Sequence, residues 1–421
     1  MKSLKPLYLI TLMAGCIMGT PRAVAQEFVI RGATVHTASA KGTLKNTDVV
    51  VRGGMIVAIG SDAGTSGATV IDARGKELTP GLFGGLTDIG LEEIAAEAQT
   101  VDSSLNLKSP EWDQQWRPEL DVTLAYNPRS FVVPITRIEG VTWTVLVPSA
   151  ADSIIGGQGS AVVLDGRYDA ALTGSRSLFV QMGAAGARVA GGTRAAEYML
   201  LEQAIHEAHA PGPIGQGALL HAAGREALTR YLTGGRVVFQ VDRAADILSV
   251  VAFAERNGMK PVILGGDEAW LVAKQLAKAN VPVILNPLND LPTDFDRLGS
   301  TLENAARLHR AGVRIAFSSG DTPQARLVRQ LAGNAVAHGL PWEAALAAIT
   351  STPADIFGLG ATHGRIAVGQ SADLALWSGD PLEVTSLADQ VWIAGRPVEM
   401  KSRQTELRDR YVEKVKAHQA R

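Results

Sequence analysis

Between Arg236 and His338 the chain repeats one pattern four times: a short apolar run, then a helical stretch. Arg236 to Val241 is followed by Ala244 to Glu255, and Pro261 to Leu264 by Glu268 to Ala279. Val281 to Leu285 precedes Thr301 to Arg310, and Val313 to Phe317 precedes Gln324 to His338. Consecutive strand–helix units of this kind force a parallel sheet, because the chain must return along the outside to start each strand. Upstream, Leu82 to Ile89 and Val141 to Val147 read as two earlier strands of the same sheet. Ala161 to Leu164 and Leu178 to Gln181 are further candidates, so the positions of the third and fourth strands stay open. Size and alternation favour a (β/α)8 TIM-like barrel over an open doubly wound sheet.

The two ends have a different texture. Phe28 to Ile30, Asp48 to Val51, Met55 to Ile59 and Val70 to Asp72 are β-rich runs with Gly-rich turns between them. The same texture returns in Ala372 to Trp377 and Gln390 to Ala394. The expected organisation is α/β: the barrel at 81–360, and a composite β-sandwich domain formed by both chain ends, 26–80 and 361–400. A charged tail, 401–421, reads as a solvated helix.

Composition excludes several classes. With 40 Lys+Arg against 42 Asp+Glu, the formal net charge is −2, which lacks the basic excess of a nucleic-acid binder. At 46% hydrophobic residues the chain can bury a large core. A single cysteine, Cys16, rules out a disulfide framework and a Cys-based zinc cluster. Residues 1–25 read as a secretory signal: Lys2 and Lys5, an apolar stretch from Leu7 to Met18, and Ala23-Val24-Ala25 before the cut. The expected location is periplasmic or secreted. The alternative is a lipoprotein anchored through Cys16, from Met13-Ala14-Gly15-Cys16. Downstream of this segment no apolar run is long enough to span a bilayer.

Three pieces in this order carry a resemblance: Leu78-Thr79-Pro80-Gly81-Leu82; the helix Glu343 to Thr350 with Pro353-Ala354; and Gly369-Gln370-Ser371-Ala372-Asp373-Leu374. Together, across about Phe28 to Val398, they resemble the amidohydrolase superfamily in its imidazolonepropionase-like branch. The resemblance implies hydrolysis of C–N bonds by one or two metals at the C-terminal mouth of the barrel. It also implies a His-x-His on the first strand, a His after each of the fifth and sixth, and an Asp after the eighth, with a carboxylated Lys on the fourth in some members. Residues two apart on a strand face one side, so a His-x-His pair can reach one ion.

This sequence departs from that pattern. Leu86 and Asp88 stand at the His-x-His positions, Gln240 near the fifth-strand position, and Gly265-Gly266 near the sixth. No His occurs between His221 and His309, and no Lys between Lys108 and Lys260. Only Asp321, in Ser319-Gly320-Asp321, keeps an eighth-strand acid, which makes it the catalytic candidate. The metal set is therefore expected to be none, with one divalent cation as the alternative.

Asp88, Asp242, Asp267 and Asp321 lie at or just past predicted strand ends, where a barrel gathers its site. Two readings stand. The carboxylates form a ring for a hard cation, or Asp242, Asp267 and Asp321 N-cap the helices that follow. Glu92 and Glu93 either join the site or line a helix start. His206 and His209 share a helix face that reads as solvated. Gly156-Gly157-Gln158-Gly159 reads as a hairpin turn, matching no phosphate loop. Trp112, Trp116 and Tyr126 form either a pocket wall, a subunit contact or packing within their loop. No Gly-x-Ser-x-Gly elbow appears. The expectation is an exported amidohydrolase-like protein that has lost metal-dependent hydrolysis. It would act as a binding or scaffolding subunit, in a homo- or hetero-oligomer with an active relative or with a small molecule. The alternative is an active C–N hydrolase with a rebuilt carboxylate-based site.

Overall fold

A computed structural model describes residues 27–60, 67–94, 96–105, 116–150, 153–210, 217–320 and 322–419. The signal segment with Cys16, and also Trp112 and Asp321, lie outside the described residues.

Strands from both chain ends join in one mixed sheet. Its order is Arg396–Pro397, Ala388–Ile393, Leu374–Trp377, Glu77–Pro80, Phe28–His36, Thr43–Arg52 and Met55–Ile59, with Thr69–Asp72 also pairing Phe28–His36. The seam between the ends is an antiparallel ladder running from Leu374 opposite Pro80 to Trp377 opposite Glu77. This is one sheet where two stacked sheets were expected. Side-chain alternation supplies the reason. Leu374 and Leu376 point into a small core with Phe28, Val49 and Trp392. Ala375 and Trp377 point the other way, into the large core. The second face is thus covered by the rest of the protein. Trp377 is fully buried there, with its indole N–H donating to Thr79 Oγ1 at 2.9 Å and the Arg329 guanidinium 4.7 Å over its ring.

The middle of the chain is built on two sheets. In the six-stranded sheet, Ile315–Phe317, Val283–Leu285, Lys260–Gly265, Arg236–Val241 and Ser177–Gln181 run parallel in that order. Ile155–Gly159 adds an antiparallel edge. The three-stranded sheet pairs Leu82–Thr87 with Val141–Leu146 in parallel and ends on Ala161–Val163. One closed ladder was expected; among the described residues it is broken at two places, each crossed by other bonds. Leu146 N–H donates to Ser160 O at 3.0 Å, beside the Ile155–Gly159 edge. Past Phe317, the Ser318 hydroxyl accepts from Leu86 N–H at 3.0 Å. Gly85 (φ +90°) is required at this seam, since a Cβ there would lie 2.7 Å from Ser318 Oγ. Thr144 Oγ1 donates to Gly85 O at 2.7 Å and lies 2.9 Å from Thr87 Oγ1, so buried hydroxyls stitch three strands together.

The four strand–helix units fall where the periodicity places them, with adjusted ends. The helix after Val241 runs Ala244–Arg256. Those after Gly265 and Phe317 begin as 3-10 turns, Ala269–Val272 and Thr322–Leu327, before Ala273–Lys278 and Val328–Ala337. No side-chain cap bond holds the starts of Ala269–Val272, Ala273–Lys278 or Val328–Ala337, which suits the tighter first turns. The tail is a helix, Arg403–Gln419. Gly156 to Gly159 belong to a strand and not to a hairpin turn. Their backbone pairs with Ser177–Gln181, and the Gln158 amide is clamped between Pro118 O (2.7 Å) and the Tyr231 hydroxyl (2.8 Å). Trp116 packs in the large core with Tyr126 against it, and neither lines the cavity at the strand ends. His206 and His209 are exposed on their helix. Among the described residues no helix is long and apolar enough to cross a membrane.

Ser318→Ala leaves the Leu86 N–H buried without an acceptor. We expect a loss of about 1–3 kcal/mol, read as a lower urea midpoint.

Candidate functional site

The C-terminal ends of the parallel strands surround a cavity of about 940 Å³. Asp88, Gln240 and Asp242 line it, as expected from the sequence. Asp267 is only 2% exposed and lies outside the lining, behind Asp242. Asp321 lies outside the described residues, although its neighbours Gly320 and Thr322 both line the cavity. Glu92 and Glu93 join the site.

Sequence reading missed Gln181, Asn286, Asn289, Arg297, Ser318, Thr322 and Arg326, all of which line the cavity. Gln181 and Asn286 carried a signal, since each stands at or just past a strand end. Gln181 sits in register beside Gln240, placing two amide side chains together. Arg297 carried none: it stands deep in the loop between Val283–Leu285 and the helix Asn304–Arg310.

On one wall, Asp88 is held from the eighth-strand side. Its N–H donates to Thr322 Oγ1 at 2.8 Å, and the Thr322 hydroxyl donates back to Asp88 Oδ1. Burial, then the neighbouring Asp88 carboxylate, hold Glu92 above the usual carboxylate range.

On the opposite wall, the N-cap reading of Asp242 and Asp267 is corrected. The helix after Asp242 is capped at Arg243, with no side-chain bond. The turn after Asp267 starts at Glu268, also without one. Both aspartates are engaged with Arg297 instead. The guanidinium Nε and Nη2 each lie 3.1 Å from Asp242 Oδ2, and Nε lies 3.6 Å from Asp267 Oδ2 and 3.5 Å from Asp294 Oδ2. Asn289 Nδ2 donates to both oxygens of Asp267, at 2.9 and 3.1 Å. Burial, with the Asp267 charge adding, pushes Asp242 up to about 6 despite the guanidinium. Burial also raises Asp267, against its bonds to Asn289 and the charge of Arg297.

The loop carrying Arg297 has its own anchors. Glu268 accepts from Gly299 N–H and Ala244 N–H, both at 3.0 Å. Asp296 accepts from Ala184 N–H at 2.7 Å and pairs with Arg194, which also pairs with Asp246 at 2.8 Å. Beside this cluster Glu197 is 1% exposed, with its Oε1 buried and unpartnered. Burial, with the charges of Asp246 and Asp296 adding, pushes it up to about 8; Arg194 opposes the shift.

A sequence profile of the amidohydrolase family matches residues 190–402. The imidazolonepropionase of Chromobacterium violaceum is 26% identical over 372 residues, 80% of this chain and 86% of that protein. Amidohydrolase tasK of Hapsidospora irregularis is 48% identical over only 58 residues, 14% of this chain and 6% of that protein. Among solved structures, an amidohydrolase from Thermotoga maritima superposes with a TM-score of 0.75 at 26% identity, covering 89% of this chain and all of that one. A molinate hydrolase structure shares the fold at a TM-score of 0.51 and 14% identity, over 90% of this chain and 95% of that one. These neighbours make the fold TIM-barrel-like.

Among the described residues, the cavity lining lacks the histidine set that the family pattern implies for a binuclear metal centre. No histidine lines the cavity, and Leu86 has no donor atom. At position 265 no side chain can project at all: the glycine has φ +92°, and a Cβ there would lie 2.3 Å from Asp242 Oδ1. Among the described residues, no group of three or more His, Cys, Asp or Glu is placed to hold a metal ion.

Because Glu197 titrates higher in the fold than its ordinary 4.5, the folded state keeps a proton that the unfolded chain releases between about pH 4.5 and 8. Stability should therefore fall as pH rises through that window. Glu197→Gln should flatten this slope and exceed the parent protein at pH 8.5, measured by urea unfolding at pH 5 and 8.5.

Proposed function

From the premise that this chain belongs to the amidohydrolase family, we propose that it has left metal-dependent C–N hydrolysis behind and binds a small, neutral, hydrogen-bonding molecule in the barrel mouth. The donor set carries this reading. At or near the positions where the family pattern implies metal-ligating histidines stand Leu86, Asp88, Gln240 and Gly265-Gly266. Zinc is held by His, Cys or carboxylate ligands, and an amide is a poor replacement. The same amides suit a neutral ligand. Gln181 and Gln240, side by side, each offer a donor and an acceptor. The apolar lining, including Phe131, Val180 and Leu264, suits an uncharged body.

The setting we propose is periplasmic or secreted, after cleavage at Ala25 or with Cys16 as a lipid anchor. A scaffolding role beside an active relative draws support from Leu291, Phe295 and Leu298, exposed on the loop that carries Arg297. A second reading, a hydrolase with a rebuilt carboxylate site, is favoured by one observation. Asp242 titrates near 6 at the cavity wall, where a general acid or base would be poised.

The desalted protein should hold less than about a tenth of an equivalent of zinc or manganese, since built sites retain zinc tightly. Neutral carboxamides, ureides and polyols should raise its melting temperature, and Gln240→Leu should weaken that binding about tenfold or more, the worth of one hydrogen bond left unmade. Near-stoichiometric metal would sink the reading. Turnover of an amide substrate, lost in Asp242→Asn, would establish the second one.

A further inference from the structure

We infer that Arg297 is the resident cation of this site, a guanidinium standing in electrostatic terms where the family pattern implies a metal. The inference rests on the reading that the mouth holds no metal. Two carboxylates stand at neighbouring strand ends, Asp242 after Val241 and Asp267 after Gly266. Buried acids in such proximity need a positive charge or a proton. Arg297 supplies the charge, with Nε within 3.6 Å of both and Nη2 3.1 Å from Asp242. Gly265, near the position where the family pattern implies the sixth-strand histidine, leaves the space that the Asp242 carboxylate fills and so makes room for the ion pair.

A guanidinium differs from a metal in two ways that matter. It is protonated at every accessible pH and has no open coordination position, so it cannot make hydroxide from water. It also fills space beside these carboxylates and offsets part of the negative charge that would draw in a divalent ion. The site therefore keeps a cation among carboxylates and loses the means to activate a nucleophile through it.

Removing the guanidinium should uncover a cation site. The loop is anchored independently through Asp296, through Glu268 to Gly299, and by the Trp270 indole N–H on Gly299 O at 2.8 Å. Arg297→Met in the full chain, titrated with Mn²⁺ at pH 8 and followed by electron paramagnetic resonance, should bind about one equivalent. Both the parent protein and Arg297→Lys should bind less than about a tenth. Adding Asp242→Asn to Arg297→Met should abolish the uptake. A folded Arg297→Met that takes up no more Mn²⁺ than the parent overturns the inference and leaves the proposed function standing. Uptake by Arg297→Lys equal to that of Arg297→Met also overturns it. Metal bound by the parent with Arg297 in place overturns both. Should Arg297→Met not fold, Arg297→Gln carries the same test.

Discussion

Two aspartates at adjacent strand ends, Asp267 buried and Asp242 largely so at the cavity wall, constrain what surrounds them. Desolvating one carboxylate is costly; desolvating two side by side is worse, because each raises the cost of ionising the other. Arg297 meets both, and Asn289 satisfies both oxygens of Asp267. The consequences spread outward. Residue 265 must be glycine to leave room for Asp242. The loop bearing Arg297 must be held still, which Glu268 does through Gly299 and Asp296 through Ala184 and Arg194. That second anchor gathers further carboxylates, and among them Glu197 is buried with an oxygen that finds no partner. The cavity wall is thus rigid because it is charged and paired.

The barrel-like frame has a complementary weakness. Its backbone ladder does not close on itself among the described residues, so side-chain hydroxyls and single bonds carry the seams. Ser318, Thr144 and Thr87 are buried and bonded to backbone or to one another between Ile315–Phe317, Leu82–Thr87 and Val141–Leu146. A hydroxyl bonded to a strand's backbone satisfies polar groups that the ladder would otherwise pair. It also ties Leu86, Ser318 and Thr322, which line the cavity, across the seam. The junction with the end sheet is built differently. There, strand alternation sends Trp377 into the large core and Leu376 into the small one, so a single strand belongs to both.

Much of this frame was legible in the chain itself. Short apolar runs alternating with helical stretches located the strands and helices from Arg236 onward, because parallel strands covered on both faces read as continuous apolar segments. The antiparallel strand Ile155–Gly159 was not legible: three glycines in five residues carry no side-chain pattern, and only partners across the sheet make it a strand. Strand ends gave Asp88, Gln240 and Asp242 as cavity residues, since a parallel barrel collects those ends at one mouth. The same logic put Asp267 in the lining, whereas it turns behind Asp242 to meet Arg297 and Asn289.

The sequence alone determined the β/α order, the kinship carried by three short motifs, and the departure from the family's ligand pattern. These are properties of residue type and spacing along the chain. Tertiary structure alone decided what took the place of those ligands. Arg297 lies in a loop with no periodicity, 55 residues from Asp242 and 30 from Asp267. Electrostatic attraction between groups so far apart in sequence acts only once folding has brought them within a few ångströms and removed the water between them.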